Sequence, residues 1–251
     1  MKAELEKQAR FFELGENYFW LAGQNDIVER ALQRYLIRLS AAARRYPVRI
    51  LDIGCGPGNT LKRLTRWGLT FGMDFSLDAL AFARGRGATH VLAGDAMALP
   101  IASESVDCVI ALDNLEHVED DELALREIRR VLRPGGVFFF TVPACMTLWR
   151  HHDVMYGHFR RYSRREFGER VRRAGLRVEE HRFFKCAFFP PLWVLAKAEA
   201  MLAGMVSPRD NFYSVSPWLN RLLWAEIVWE DRLKLTRFMP FGVSLLCVGS
   251  R

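Results

Sequence analysis

Three glycines that alternate with other residues form the first group whose spacing suggests chemistry. Gly54, Gly56 and Gly58 follow an apolar run over 48–53 and precede a helical pattern that starts at Thr60. A glycine lets the backbone approach a ligand closely because it has no Cβ, and ligands of parallel α/β proteins bind at the carboxyl ends of strands. Tight turns that bind nothing also use glycine, so the loop alone leaves both interpretations open.

Two aspartates follow, each at the end of a further strand pattern. Asp74 lies twenty residues after Gly54, and Asp95 ends a third strand. A carboxylate at the first position can accept hydrogen bonds from both hydroxyls of a ribose, and one at the second can accept from an adenine amino group. Either aspartate alone could instead be a helix N-cap. The ordered set of loop and carboxylates indicates a ligand that contains a nucleoside.

The spacing of the loop distinguishes between nucleotide-binding classes. A dinucleotide fold needs G-x-G-x-x-G, with a pyrophosphate at the helix N-terminus. Here Asn59 stands where the third glycine of that pattern belongs, and G-x-x-x-x-G-K-[ST] does not occur. The sequence therefore favours a cofactor with one nucleoside and no pyrophosphate.

Basic residues are concentrated late in the chain. The net charge is +7, and residues 150–185 hold eleven Lys and Arg against five Asp and Glu. Four of the six histidines also lie there: His151, His152, His158 and His181. We interpret this segment first as a site for an anionic partner and second as a nucleic-acid footprint. A solvated helix face is the other interpretation.

Strand and helix patterns alternate along the chain. The predicted strands are 48–53, 69–73, 90–93, 108–112, 137–142, 178–184 and 244–248. The predicted helices are 25–40 with Asn25 as N-cap, 60–67, 78–84, 120–132, and one opened by the capping box at Ser163 and Glu166. This alternation predicts right-handed βαβ units, and therefore an α/β fold with a mostly parallel sheet.

Length and composition limit the number of domains. The 251 residues suffice for one large α/β domain with extra helices and are few for two ordinary domains. Hydrophobic residues make up 50% and charged residues 26%, which excludes disorder of the whole chain. We predict an N-terminal helical cap over 1–47, a core over 48–185 and 241–251, and a helical insertion or lid over 186–240.

The compartment is predicted from cysteine usage and the N-terminus. The five cysteines contain no C-x-x-C pair, which argues against a disulfide framework or a zinc site and for a reducing compartment. The charged N-terminus lacks the apolar region of a secretory signal. We expect a cytoplasmic protein, and a location at the inner face of the membrane is the alternative.

Five segments carry a family resemblance. They are ILDIGCGPGNT, GMDFS, AGDAMALP, DCVIALDNLEHVEDD and LREIRRVLRPGGVFFFTVPA, in this order within 48–143. The sequence resembles class I S-adenosylmethionine-dependent methyltransferases of the small-molecule type. This implies a Rossmann-like fold with a seven-stranded, mostly parallel sheet, helices on both faces and a helical insertion before the last strand. It also implies S-adenosylmethionine as the cofactor.

The resemblance assigns residues to the parts of that cofactor. Around the methionine part it places Asp52, Gly54, Cys55, Gly56 and Gly58. At the ribose it places Asp74 and Phe75, at the adenine Asp95, Ala96 and Met97, and beside the cofactor after the fourth strand Leu112 and His117.

A weaker similarity extends to both ends of the chain. DVMYGHFRRYSRREF, FFKCAFFPP and the final PFGVSLLCVGSR are similar to a bacterial subgroup whose members often accompany glycan or cell-envelope genes. This implies a small-molecule or envelope-glycan acceptor, with an anionic group as one alternative. The subgroup's aromatic stretch before the first domain helix also carries arginines. Here Tyr18 and Trp20 keep the aromatic character of that stretch, and we predict both as acceptor contacts. The arginines are absent, so any substrate contact that they make in the subgroup is not expected at this position.

Methyl transfer from a sulfonium is an in-line displacement that needs alignment at about 3 Å and exclusion of water. It needs no metal, and we predict none because the sequence suggests no third ligand for a histidine pair. A hydroxyl acceptor would need a base, for which the candidates are His117, His151, His152 and His158. Asp153 could orient one of the adjacent histidines His151 and His152, of which at most one is expected to act as the base.

The same segment offers contacts for an anionic acceptor. Arg160, Arg161 and Tyr162 could bind an acceptor carboxylate or phosphate, and structural ion pairs are the alternative.

The insertion and the class of acceptor leave further alternatives. The apolar stretch 186–196 is short and contains two prolines, so it is a poor membrane span. A packed lid or homodimer surface is favoured over membrane contact or a lipid-linked acceptor. An RNA methyltransferase is disfavoured because N/D-P-P-Y is absent and no separate nucleic-acid-binding domain is evident. A non-catalytic cofactor-binding protein is the other alternative.

Overall fold

A computed structural model describes residues 17–42, 47–201 and 215–251 of the chain. Its strands are Arg49–Ile53 (β1), Leu69–Asp74 (β2), Val91–Ala93 (β3), Val106–Leu112 (β4), Leu132–Pro143 (β5), Arg177–Phe184 (β6) and Ser244–Ser250 (β7). Its helices are Phe19–Ala42 (α1), Asn59–Leu64 (α2), Leu77–Gly85 (α3), Asp121–Val131 (α4), His151–Met155 (α5), Arg164–Arg173 (α6), Phe189–Met201 (α7) and Pro217–Arg232 (α8). Short 3₁₀ turns are Leu115–His117, Met146–Leu148 and Leu235–Arg237.

The strands form one seven-stranded sheet in the order β3-β2-β1-β4-β5-β7-β6. Strands β1 to β5 are parallel to one another, whereas β7 is antiparallel to both of its neighbours, β5 and β6. The carboxyl ends of β1, β2, β3 and β4 therefore lie at one edge of the sheet. The predicted α/β fold, with its mostly parallel sheet closed by a last strand at the C-terminus, is confirmed.

The central strands are buried on both faces, as the sequence runs of apolar residues predict. On β4, Cys108 and Ile110 contribute to one apolar cluster with α1 and α8, while Val109 and Ala111 contribute to another with α4 and α6. This alternation follows from the two-residue period of a strand. Helices therefore cover both faces of the sheet, also as predicted.

Two local predictions of helix starts have different outcomes. The helix start at Ser163 is confirmed, because its side chain accepts from the Glu166 backbone N–H at 3.1 Å, whereas the Glu166 carboxylate accepts from Arg170 at 2.9 Å. The predicted start at Asn25 is wrong. The helix begins at Phe19, whose N–H donates to Asn220 Oδ1 on α8 at 2.9 Å, so a tertiary contact supplies the cap.

The first helix packs against the insertion that precedes the last strand. Gly23 on α1 lies directly under Ile227 of α8, where an added Cβ would meet its side chain at 2.8 Å. Trp224 Nε1 donates to Asp26 at 2.9 Å. Residues 1–16, 43–46 and 202–214 lie outside the described ranges, and the three domain boundaries stay predictions. In the described ranges no helix combines the length and the apolar character that a membrane crossing requires.

Candidate active site

The glycine loop lies at the carboxyl edge of the sheet between β1 and α2. The backbone N–H groups of Gly54 and Cys55 both donate to the Met73 carbonyl, at 2.7 and 3.0 Å. Gly54 has a φ of +72°, and an added Cβ would meet the side chain of Asn114 at 2.1 Å. Glycine is therefore required here both for its backbone conformation and for its close approach to Asn114.

Asp74 and Asp95 are held at the same edge by backbone groups. Asp74 accepts from the N–H of Gly56 and from that of Ser76, each at 2.8 Å. Asp95 accepts from the Met97 N–H at 2.8 Å and is exposed. Phe75 directly follows Asp74, the residue predicted to bind the ribose, and is 85% exposed. The two carboxylates that the sequence paired with the loop thus lie at the carboxyl ends of adjacent strands: Asp74 is the last residue of β2, and Asp95 follows β3 by two residues.

Asp52 is the buried acid beneath this loop. It is 2% exposed, and burial followed by the nearby charge of Asp74 raises its pKa to about 8. Its Oδ2 atom has no hydrogen-bond partner within the described part of the chain. A cationic group placed there would satisfy that oxygen and favour the ionised carboxylate. The amino group of a bound S-adenosylmethionine has this charge, so the residues present fit the cofactor that the sequence indicated.

A cavity of about 400 Å³ opens beside the loop, beyond the end of β4. Its apolar wall comes from α1 and from the start of α7. The residues of that wall are Tyr18, Phe19, Trp20, Leu21, Phe188, Leu192 and Leu195. The polar side chains that line it are Asp113, Glu116, His117, Arg150, His152, Tyr156, His158, Arg161 and Ser244. Segments far apart in sequence therefore build one pocket that is lined by both apolar and polar side chains.

The histidines of the basic segment are not equivalent. His158 Nδ1 lies 2.8 Å from Asp153 Oδ1, and Arg161 Nε donates to the same oxygen at 2.7 Å. Asp153 is fully buried. Burial alone would raise its pKa, but the His158 hydrogen bond and the Arg161 charge lower it overall. Asp153 therefore orients His158, and not either member of the adjacent pair His151 and His152, which sequence reasoning had linked to it.

The other candidate histidines differ in whether they line the cavity. His151 is exposed and does not line the cavity, whereas His117 and His152 do. Burial lowers the pKa of His152 to about 4, and burial followed by the His158 charge lowers that of His117. Both rings are thus held neutral near pH 7.

Of the three acceptor contacts predicted in the basic segment, two serve the fold instead. Tyr162 is fully buried, and its hydroxyl donates to Asp121 at 2.7 Å. Arg160 donates to the Glu119 carbonyl and lies 3.3 Å from Asp121. Neither residue lines the cavity, because internal partners hold both side chains. Arg161 does line it, although its guanidinium is shared with Asp153.

Sequence reasoning missed several cavity residues. Glu116 and Asp113 were not singled out, and neither was Phe188, which stacks on Phe19 with ring centres 5.8 Å apart. Glu116 is only 1% exposed, and burial followed by the charge of Asp113 raises its pKa well above the usual value. Its place directly before His117, after the fourth strand, was the available signal. Tyr18 and Trp20 were predicted as acceptor contacts, and the structure places both on the cavity wall.

Comparison with known proteins agrees with this arrangement. Residues 51–140 match the family model described as a methyltransferase domain. A demethylmenaquinone methyltransferase from Roseiflexus castenholzii is 38% identical over 125 residues, which are 46% of this chain and 50% of that protein. A malonyl acyl-carrier-protein O-methyltransferase from Enterobacter lignolyticus is 34% identical over 150 residues, 57% of this chain and 58% of that protein. This chain thus spans about half the length of those two relatives.

The fold match extends further than the sequence match. A solved S-adenosylmethionine-dependent methyltransferase from Thermotoga maritima aligns with 98% of this chain and covers 95% of its own, with 20% identity and a TM-score of 0.56. The chain carries a domain of the class I S-adenosylmethionine-dependent methyltransferases, an enzyme class. S-Adenosylmethionine is the cofactor of this domain.

Proposed function

We propose that this protein transfers a methyl group from S-adenosylmethionine to an amphiphilic small molecule that binds in the aromatic cavity. The observation that carries the proposal is the adjacency of two consecutive residues. Asn114 contacts Gly54 of the glycine loop, while Asp113 lines the cavity. An acceptor in the cavity therefore lies next to a cofactor in the loop, as an in-line displacement requires.

The walls of the cavity supply alignment and exclusion of water. Trp20 and Phe188 meet edge to face, with ring centres 5.6 Å apart, and Phe19 stacks behind Phe188. Rigid aromatic surfaces of this kind orient an apolar substrate at low entropic cost. The bound cofactor supplies the electrophilic methyl group. This chain's own residues need only hold the acceptor oxygen, nitrogen or carbon in line with it.

The lining favours an acceptor with an apolar tail and a polar or anionic head. Apolar side chains line the cavity together with the Arg150 and Arg161 guanidiniums. Both arginines have carboxylate partners, Arg150 with Glu199 at 3.2 Å and Arg161 with Asp153, which holds them in fixed directions. A lipid-linked or glycan-linked acceptor of envelope biosynthesis matches this mixed lining, and the two named relatives act on a quinone-type and an acyl-carrier-linked acceptor.

Contact with a membrane surface is part of this proposal. Trp193, Trp218 and Trp229 on α7 and α8 are 42%, 69% and 57% exposed, and Arg232 and Lys234 beside them are exposed as well. Tryptophan flanked by cationic side chains suits the headgroup region of a bilayer. Co-sedimentation with anionic vesicles tests this contact. A homodimer that covers the same tryptophans, detected by analytical ultracentrifugation, would contradict it.

The experiment that tests the function measures transfer of a labelled methyl group from S-adenosylmethionine to matched acceptors. Each pair shares a head group, and only one member carries an acyl or prenyl tail. The tailed member should react with a kcat/KM at least about tenfold higher, because each buried methylene contributes about 0.8 kcal/mol. Preference for RNA, or cofactor binding without transfer to any acceptor, would contradict the proposal.

A further inference from the structure

Three side chains with metal-binding atoms converge at the cavity. The ligand atoms of Glu116, His117 and His158 all lie within 4.8 Å of one another. His117 and His158 pack edge to face, with ring centres 4.6 Å apart. All three residues line the cavity. A carboxylate and two imidazoles that leave open positions are a set that first-row divalent metal ions bind.

Glu116 points to a cationic ligand independently of the two histidines. Its side chain is almost wholly buried, and Oε2 has no hydrogen-bond partner in the described ranges. No ion pair to Glu116 occurs there either, whereas the neighbouring Asp153 is neutralised by Arg161. A buried carboxylate without a partner is costly, and a bound cation removes that cost.

Both imidazoles are oriented by groups behind them. Asp153 binds Nδ1 of His158, which leaves Nε2 as the free ligand atom. The His117 ring is hydrogen-bonded to the backbone at Gly157 and Tyr156. Histidine ligands of metals characteristically use their second nitrogen in this way, since a carboxylate or carbonyl fixes the tautomer and the ring direction.

We propose that Glu116, His117 and His158 bind one divalent transition-metal ion of the Zn²⁺ class, with open coordination positions that face the acceptor cavity. Tetrahedral donors bound at about 2.1 Å lie about 3.4 Å apart, so ligand atoms that lie within 4.8 Å of one another need to close by at most about 1.4 Å. An acceptor oxygen could occupy an open position as an anion, with its proton released to solvent.

This inference revises the prediction of no metal, which rested on the lack of a third ligand in the sequence. The fold supplies that ligand, because the 3₁₀ turn Leu115–His117 contacts the backbone of the histidine segment: the Phe159 N–H donates to the Glu116 carbonyl at 2.8 Å. The inference goes beyond the proposed function, since metal binding does not depend on methyl transfer.

The test is a titration of untagged, chelator-treated protein with ZnCl₂ by calorimetry, and with CoCl₂ by visible absorption. We expect one ion per chain. Glu116→Gln, which keeps the side-chain shape, and His158→Gln should each weaken Zn²⁺ binding by about tenfold to a hundredfold or more. The matched control is His151→Gln, because it alters an exposed histidine of the same segment that does not line the cavity, and it should bind as the native chain does.

Three results would overturn the inference: no stoichiometric binding by the native chain, undiminished binding by Glu116→Gln, or equal loss in His151→Gln. The last two would mark an adventitious histidine site. Thermal unfolding and calorimetric binding of S-adenosylmethionine show whether each variant is folded. A native chain that binds S-adenosylmethionine but not Zn²⁺ refutes the metal site alone. A chain that binds Zn²⁺ but transfers no methyl group refutes the proposed function alone.

Discussion

The side-chain nitrogen of Lys185 donates to Oε1 of Gln24 at 2.7 Å, which joins the end of β6 to α1. The Gln24 amide donates in turn to Asp113 at 2.9 Å and to Thr141 at 3.1 Å. Lys185 is fully buried, and its nitrogen lies 3.9 Å from the centre of the Trp20 ring. Because Trp20 and Asp113 both line the cavity, this buried chain of hydrogen bonds fixes the aromatic wall against the end of β4.

The buried amine gives a pH dependence of stability with a definite sign. Burial lowers the pKa of Lys185 to about 7, against a smaller opposite effect of Asp113. Between pH 7 and pH 9 the unfolded chain keeps a proton that the folded chain loses, so stability rises with pH. Relative to Lys185→Met, the native chain should gain about 2 kcal/mol of unfolding free energy over that interval. Denaturant unfolding at both pH values measures it, and parallel pH profiles of the two proteins would disprove the assignment.

Two glycines of the cofactor loop should respond differently to alanine. Gly54→Ala introduces a Cβ against Asn114 and should lower the unfolding free energy by about 3 kcal/mol. Gly56→Ala meets no protein atom within 4 Å and should lower it by only about 1 kcal/mol, from its φ of +51°. Both should weaken binding of S-adenosylmethionine. Equal stability of the two variants would show that Gly54 is not pressed against Asn114.

His181 should make the protein sensitive to acid. Burial, followed by the charges of Arg164 and Arg172, lowers its pKa to about 4, and Nε2 has no partner among the described residues. As pH falls below about 6.5 the unfolded chain takes up a proton that the folded chain does not, so stability falls. His181→Gln should reduce the loss between pH 7 and pH 5 by about 1 kcal/mol, after allowance for partial exposure. If the unfolding free energy of that variant fell between pH 7 and pH 5 as steeply as that of the native chain, the assignment of a neutral, buried His181 ring would be wrong.

Trp20 should affect the acceptor and not the cofactor. Trp20→Ala removes part of the cavity wall and should raise the acceptor KM by at least about tenfold, since a large aromatic side chain contributes several kcal/mol of contact. The dissociation constant of S-adenosylmethionine should change by less than about twofold. Phe238→Ala is the matched control, because that exposed aromatic side chain lies outside the cavity lining. Equal effects of both variants on the acceptor KM would place the acceptor elsewhere.

The cofactor edge was predictable from sequence because its determinants are local. Gly54, Asp74 and Asp95 each sit at the end of a recognisable strand, and parallel strands bring their carboxyl ends to one edge. The number of strands and the mostly parallel sheet follow from the family resemblance, and the strand positions follow from apolar runs. The start of helix α1 was predicted six residues too late because its cap comes from Asn220, some two hundred residues away.

The acceptor side was not predictable in the same way. Its wall joins α1 to α7, and no local pattern records that Phe188 stacks on Phe19. The pairing of Asp153 with His158 instead of with its immediate neighbours depends on the turn after α5, which directs the chain back on itself. Likewise, the sequence alone predicts that a charged residue such as Glu116 or Lys185 lies at the surface, and only the structure shows that it is buried.

Calorimetry with S-adenosylmethionine on the native chain and on the double variant Asp74→Ala, Asp95→Ala tests the central claim most directly. The native chain should bind one molecule of cofactor. The double variant, which loses two carboxylates that each make charge-assisted hydrogen bonds, should bind at least about a hundredfold more weakly. Asp78→Asn, an exposed acid in the first turn of α3, is the control and should bind normally. Unchanged affinity in the double variant, or no binding by the native chain, would contradict the cofactor site.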